Sequence, residues 1–367
     1  MNATRAVLSA TGAITSVGRT ASAACAAIRA GVARPRRLSG FQLVDEEAQE
    51  SLLLTGHPLQ GYADGFHLVG RWLRLARGCV NDLREQSSVP DSRERRFWER
   101  TGLLAVLPSV DAEVLLSEPE DVPEILREDY LLPLHRALGL PIPLEQLHLF
   151  ASGHVGTAEA LSRGLRGLAA GEVEQWLVVA VDSLLDPLLL GQLLEARRLK
   201  HDDQPTGLMP GEAGVCLLVE RESGARGRGV AAPSLIAAVA TNQVAAPDAH
   251  ARDTGQALAT CIRQVVEPLV SSEGPFEGEL YSDLTGEEWR AREWGGALVR
   301  LGNRLDTSRL RLPCNSVGDV GAASGALGMC LVAESFAARQ SWKGRALVLS
   351  SSIQGGVGAI HLQQVSP

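Results

Sequence analysis

Residues 202–220 read DDQPTGLMPGEAGVCLLVE: a polar turn, then Gly207, Gly211-Glu212 and Gly214, running into an unbroken apolar strand that ends on an acid. A strand apolar on both faces needs cover on both faces, which calls for a sheet buried between helices. The flanks supply such elements. Upstream, residues 153–170 are dense in Ala, Leu and Gly and suit a buried helix closed by Gly171, ahead of a second apolar strand at 175–181. Downstream, GRGVAAPSLIAAVATNQ (227–243) reads as another strand, expected to pair with 211–223 as a hairpin.

The alternation extends to both ends of the chain. Residues 5–18 read as a strand and a glycine turn, followed by an Ala-rich helix at 21–30 stopped by Gly31. A strand at 104–107 and helical periodicity over 124–138 follow. The second round is a helix at 254–269, a strand at 278–282, a helix at 287–301, a Gly-rich helix within 318–339 and a strand at 345–350. Alternating β and α units of this kind predict an α/β chain with helices on both faces of its sheets. Two related halves are expected, 1–220 and 221–367, with residues 40–100 breaking the rhythm as an inserted cap region.

Composition narrows the class. The 367 residues are 45% hydrophobic and only 4% aromatic, with 38 glycines, so the core must be built from small side chains in close approach. A formal net charge of −8 gives no basic footprint for nucleic acid, and the short runs Arg34-Pro35-Arg36-Arg37 and Arg93-Glu94-Arg95-Arg96 read as solvated faces. Six scattered cysteines form no C-x-x-C pair, which fits a reduced, cytoplasmic chain with neither disulfides nor a zinc site. No export signal and no membrane span are expected.

Four segments, in order, resemble the β-ketoacyl synthase branch of the thiolase superfamily. They are AVLSATGAITSVG (6–18), HVGTAEALSRGLRGLAAGEVEQWLVVAVDS (154–183), the glycine-patterned 202–220, and SVGDVGAASGALG (316–328). The resemblance implies a thiolase fold: two related βαβαβ-type halves in a five-layered αβαβα arrangement. It also implies what is missing. The family's condensing members use a cysteine thiolate at a helix N-terminus, where the dipole lowers its pKa. Here a gapless count places His154 at that position, within FASGHVG (150–156), and a shifted one places Ser152 or Phe150 there. The carbonyl-polarising histidines are likewise replaced. The first stretch reads YSDLTGE (281–287), and the second histidine falls on Asp319. The C-terminal loop SSSIQGGVGA (350–359) keeps its glycine pair without the usual aromatics.

His154, Ser152, Asp283, Glu287 and Asp319 are therefore the candidate site. One reading makes it a rebuilt polar site with His154 as general base, the acids as orienters and Ser152 as nucleophile. The other makes Asp319 and Glu287 helix caps and His154 a satisfied core histidine. No cofactor is implied, and no ligand spacing supports a metal. DLTGEEWRAREWG (283–295) and NSVGDVGAASGALG (315–328) further resemble divergent thiolase-like proteins encoded beside bacterial type VI secretion effectors. The resemblance implies a catalytically degenerate partner or adaptor, forming a homodimer or a heterodimer with a related thiolase-like chain. An acyl carrier protein or a secretion effector is the further partner it suggests. The alternative is an acyltransferase or 3-oxoacyl synthase-type subunit that binds acyl-thioesters in a chain-length-factor-like role.

Overall fold

The computed structural model describes residues 5–45, 50–86, 88–244 and 255–365. The first strand, β1 (Ala6–Thr15), turns into helix α1 (Ala21–Arg29), which Thr20 caps by accepting the Ala23 N–H. A hairpin of β2 (Arg36–Asp45) and β3 (Glu50–Gly56) follows, then α2 (Leu68–Arg84), β4 (Thr101–Val106), α3 (Leu132–Leu138) and β5 (Leu147–Phe150). Helix α4 (Gly156–Ala170) ends at Gly171 in the left-handed conformation, as expected, and leads into β6 (Gln175–Ser183), α5 (Pro187–Glu195) and β7 (Glu212–Arg221). The remaining elements are β8 (Ser234–Gln243), α6 (Gln256–Glu273), β9 (Glu279–Ser282), α7 (Glu288–Leu301), β10 (Leu310–Arg311), α8 (Ser324–Ala337), β11 (Arg345–Ser351) and β12 (Gly356–Gln364). The expected start of α6 at Thr254 lies outside the described residues.

Ten strands form one continuous sheet in the order β10-β9-β11-β12-β8-β1-β7-β6-β4-β5. The repeat is visible in that order. Counting its strands along the chain, the first five run 3-2-4-5-1 from the outer edge inward, and so do the last five. Strand directions repeat as well: β4 is parallel to β5 and β6, and β9 to β10 and β11, while β7 and β12 run antiparallel to their neighbours. The halves join where β1 and β8 pair antiparallel over Ala6–Leu8.

Helices α4 and α8 each contact strands of both halves, so they form the middle layer. Helix α2 covers β1, β6 and β7 on one outside, and α6 with α7 covers β8 and β12 on the other. Three separate apolar clusters match these spaces, giving the αβαβα order. Helix α8 is buried nearly all round, which its small residues allow. The Trp176 indole lies in a slot of glycines: a Cβ on Gly102 would fall 2.0 Å from its ring and one on Gly167 2.8 Å. Burying that ring removes about 200 Å² from water, roughly 5 kcal/mol.

Two expectations change. Strands β7 and β8 do not form a hairpin, because β1 lies between them and pairs with both. A strand as apolar as β7 takes two strand neighbours, β1 and β6, and the helical turn Glu222–Gly227 carries the chain across to β8. Within 40–100, only the β2–β3 hairpin stands apart from the large sheet. Helix α2 belongs to the outer layer: Trp72, Leu75, Cys79 and Leu83 are all in the core. Its polar face, which breaks the Ala-Gly rhythm, points to solvent. Among the described residues, no helix is long and apolar enough to cross a membrane.

Candidate functional site

Residues that follow β9, end β11 and precede α4 and α7 converge on one buried group, the guanidinium of Arg290. This residue comes from the first turn of α7 and is only 1% exposed. Its Nε donates to Glu287 Oε2 at 3.2 Å, and its Nη1 reaches both the Ser351 carbonyl at 2.6 Å and Asp283 Oδ2 at 3.0 Å. Nη2 lies 3.0 Å from His154 Nε2. A second arginine, Arg198, forks onto Glu287 at 2.7 and 3.3 Å. The Ser351 N–H donates to Asp283 Oδ2 at 2.8 Å and completes that carboxylate's setting.

His154 Nε2 is also 2.8 Å from Asp319 Oδ1. One ring nitrogen cannot accept from Arg290 and donate to Asp319 at once. With Asp319 ionised, the tautomer carrying hydrogen on Nε2 is favoured, and Arg290 then contributes charge beside the ring rather than a hydrogen bond. Burial alone would raise the Asp319 carboxyl, but its interaction with His154, then the charge of Arg290 and the Gly321 N–H, hold it well below the usual carboxylate range. Glu287 behaves similarly: burial raises it, and the hydrogen bond and charge of Arg198 outweigh that. Arg290 is held above its ordinary value, since Asp283, Asp319 and Glu287 overcome its burial.

The structure thus brings His154, Asp283, Glu287 and Asp319 together. Asp319 partly acts as a loop cap, accepting the Gly321 N–H at 2.9 Å. Glu287 sits at the N-cap of α7 without capping it, because both its oxygens face arginines. Ser152 offers its carbonyl to Ser352 Oγ at 3.2 Å, and among the described residues no hydrogen bond joins Ser152 to His154. Where a metal would have to sit between Asp319, Glu287 and His154, Arg290 already supplies the positive charge.

The sequence reading names neither Arg290 nor Arg198. Arg290 stands three residues after Glu287, the spacing at which helical side chains meet, and that is the signal that could have found it. Arg198 offered none. Asp182, at the end of β6, is 2% exposed, and its Oδ2 accepts the Ala322 N–H at 2.8 Å. Its Oδ1 has no partner among the described residues. Glu212 is a buried, fully partnered acid, bonded to Leu59 N, Arg71 and Ser183. Cys314 donates to the Leu284 carbonyl, and burial, with Asp319 and Asp283 beside it, pushes its thiol up to about 12. That is a packed thiol, not a nucleophile.

Burial pushes the Asp182 carboxyl up to about 7, against the opposing Ala322 N–H. A raised folded-state pKa means that the stability this acid contributes is present below about pH 4 and lost as pH rises towards 7. Asp182→Asn, which cannot ionise, is therefore expected to gain on the wild type by at least about 1.4 kcal/mol between pH 4 and pH 8. Urea unfolding at both pH values measures it, and a difference that stays flat would refute the assignment.

The interior of the cluster is nearly closed. The cavity beside Asp283, Cys314 and Asp319 holds about 20 Å³, room for one water. On the other side of Cys314 and Asp319 an open recess of about 310 Å³ is lined by His57, Lys200, Met209 and Thr285.

No protein-family model and no curated protein matches the sequence. Solved structures match along its whole length. A type II polyketide ketosynthase bound to a hexaketide, in complex with its acyl carrier protein, is 15% identical with a TM-score of 0.75, covering 100% of both chains. The chain has the thiolase fold of the ketosynthases. The ishigamide ketosynthase/chain length factor aligns over 99% of this chain and 100% of its own at 17% identity and a TM-score of 0.76. A ketosynthase domain of the oxazolomycin system of Streptomyces albus aligns over 99% of this chain and 75% of its own, at 16% identity and a TM-score of 0.79.

Proposed function

We propose that this thiolase-fold chain is a catalytically degenerate ketosynthase-like protein that works as a partner or adaptor. The observation that carries the reading is Arg290. Its buried guanidinium, tied to Glu287, Asp283 and Ser351, stands in the cluster where condensing chemistry would need a free nucleophile and an open pocket. His154, at the start of α4, is engaged by Asp319, and no thiol there is poised for attack. The residual space of about 20 Å³ is too small for an acyl chain.

The partner is a second thiolase-like chain, the same or related. Supporting this, among the described residues β5 pairs with β4 alone, which leaves its outer edge open, and the groove beside it is lined by Val122, Leu126, Leu149 and Phe150. A role in delivering a type VI secretion effector rests on the likeness of residues 283–295 and 315–328 to proteins of that setting. A second reading is favoured by the 310 Å³ recess that reaches Cys314 and Asp319: a subunit that holds an acyl-thioester without condensing it. A ketosynthase/chain length factor and a carrier-protein complex among its structural neighbours are compatible with that.

The test is intact-protein mass spectrometry after incubation with acyl-CoA and acyl-carrier-protein thioesters, run beside His154→Ala and Ser152→Ala. No covalent adduct on the wild type is expected. A stoichiometric acyl adduct that one variant loses would overturn the degenerate reading and identify the nucleophile. Equilibrium sedimentation of the purified chain tests the pairing, with a dimer at micromolar concentration expected.

A further inference from the structure

The basic run at 34–37 is exposed, as expected, and two of its arginines border a pocket. In the extended segment 33–36, alternate residues face opposite ways. Ala33 and Pro35 line the recess that reaches Cys314 and Asp319, while Arg34 and Arg36 turn into a separate pocket of about 350 Å³. Arg19 enters that pocket from the turn after β1, its Nη2 donating to the Gln60 carbonyl at 3.0 Å and its guanidinium lying over the Tyr62 ring. Among the described residues, no acidic side chain lines the pocket and none of the three arginines is in an ion pair. Ser16 Oγ, also in its wall, is buried and has no hydrogen-bond partner among the described residues. The amino end of α1 is not available, because Asp82 already accepts the Ala21 and Ala13 N–H groups.

Three guanidinium groups around one concavity, with no carboxylate paired to them among the described residues, make a locally positive site on a chain of net charge −8. Three forks offer more donors than a carboxylate can accept, and they match a tetrahedral dianion with its several terminal oxygens. We propose that this pocket is a binding site for a phosphate group, either free or carried on a small phosphorylated molecule, with Arg19, Arg34 and Arg36 as its ligands and Ser16 as a further donor. The volume admits a ligand well beyond phosphate itself. This assignment does not depend on the function proposed above.

Calorimetric titration with inorganic phosphate and with pyrophosphate, at fixed ionic strength, tests it. Saturable 1:1 binding of either is expected, weakened at least tenfold in Arg34→Gln/Arg36→Gln. Arg37→Gln, whose side chain does not line the pocket, is expected to bind as the wild type does, which separates a site from general surface charge. Tighter binding of pyrophosphate would point to a phosphorylated metabolite as the source, and equal binding to free phosphate. No saturable binding, or an equal loss in Arg37→Gln, would overturn the proposal. Circular dichroism of the variants confirms that each is folded, since all three positions are exposed or at an edge.

Discussion

Arg290→Met is expected to lower folding stability by about 3–5 kcal/mol, the cost of leaving buried charge without its partner. Three carboxylates surround the guanidinium, and only Glu287 has a second cation, Arg198. With Arg290 gone, Asp283 keeps one N–H, from Ser351, and no cation, while Asp319 keeps His154. A methionine fills the volume but answers none of the charge. Arg290→Lys should recover part of the loss and no more. An ammonium is a point charge on a flexible stem and cannot fork at once to Glu287, Asp283 and the Ser351 carbonyl. Urea denaturation of the three proteins at pH 7 decides it. If Arg290→Met stayed within 1 kcal/mol of the wild type, the cluster would not be the tightly coupled network described here.

The same substitution separates scaffold from site. If the cluster only holds elements together, Arg290→Met should lose stability and gain no reactivity towards thioesters. Net favourable energy is not required for such a network to persist. Buried ion pairs often contribute little overall against an apolar replacement of the whole set, and breaking one member is the expensive step. His154, Asp283, Glu287, Arg290 and Asp319 would therefore be exchangeable only as a group.

Most of the fold was legible because it rests on local signals. The apolar runs at 175–181 and 211–223, the Ala-Gly helices and the stopping glycines at 31 and 171 all became elements close to where the pattern put them. What failed was pairing. Residues 211–223 and 227–243 are adjacent in the chain and alike in character, yet the strand between them in the sheet is the first in the sequence, over 200 residues away. No local pattern carries that. The site shows the same division. His154, Asp283, Glu287 and Asp319 were found by likeness to a motif, whereas Arg198 lies outside every motif and meets Glu287 only through the tertiary fold. Arg290 was overlooked because arginine on an exposed-looking helix, EEWRAREWG, reads as surface until the packing of α7 is known.

Gly321→Ala tests how closely the backbone is fitted to this cluster, with an expected loss of about 3–4 kcal/mol from overpacking and a left-handed residue together. Gly321 opens the turn before α8 at φ +50°, and a Cβ there would lie 1.8 Å from Asp182 Oδ2. Either the carboxylate or the turn must move. Moving the carboxylate breaks its bond from the Ala322 N–H, and moving the turn pulls the Gly321 N–H from Asp319. Asp182→Ala removes the obstructing atoms. In that background Gly321→Ala should cost only the backbone strain, about 1–2 kcal/mol, so a double-mutant cycle is expected to show a coupling above 1 kcal/mol between the two positions. Additive losses would mean that the strain lies in the turn alone and that Asp182 is free to give way. A clear coupling would place Asp182, through the N–H groups of one three-residue turn, in the same mechanical unit as Asp319 and His154.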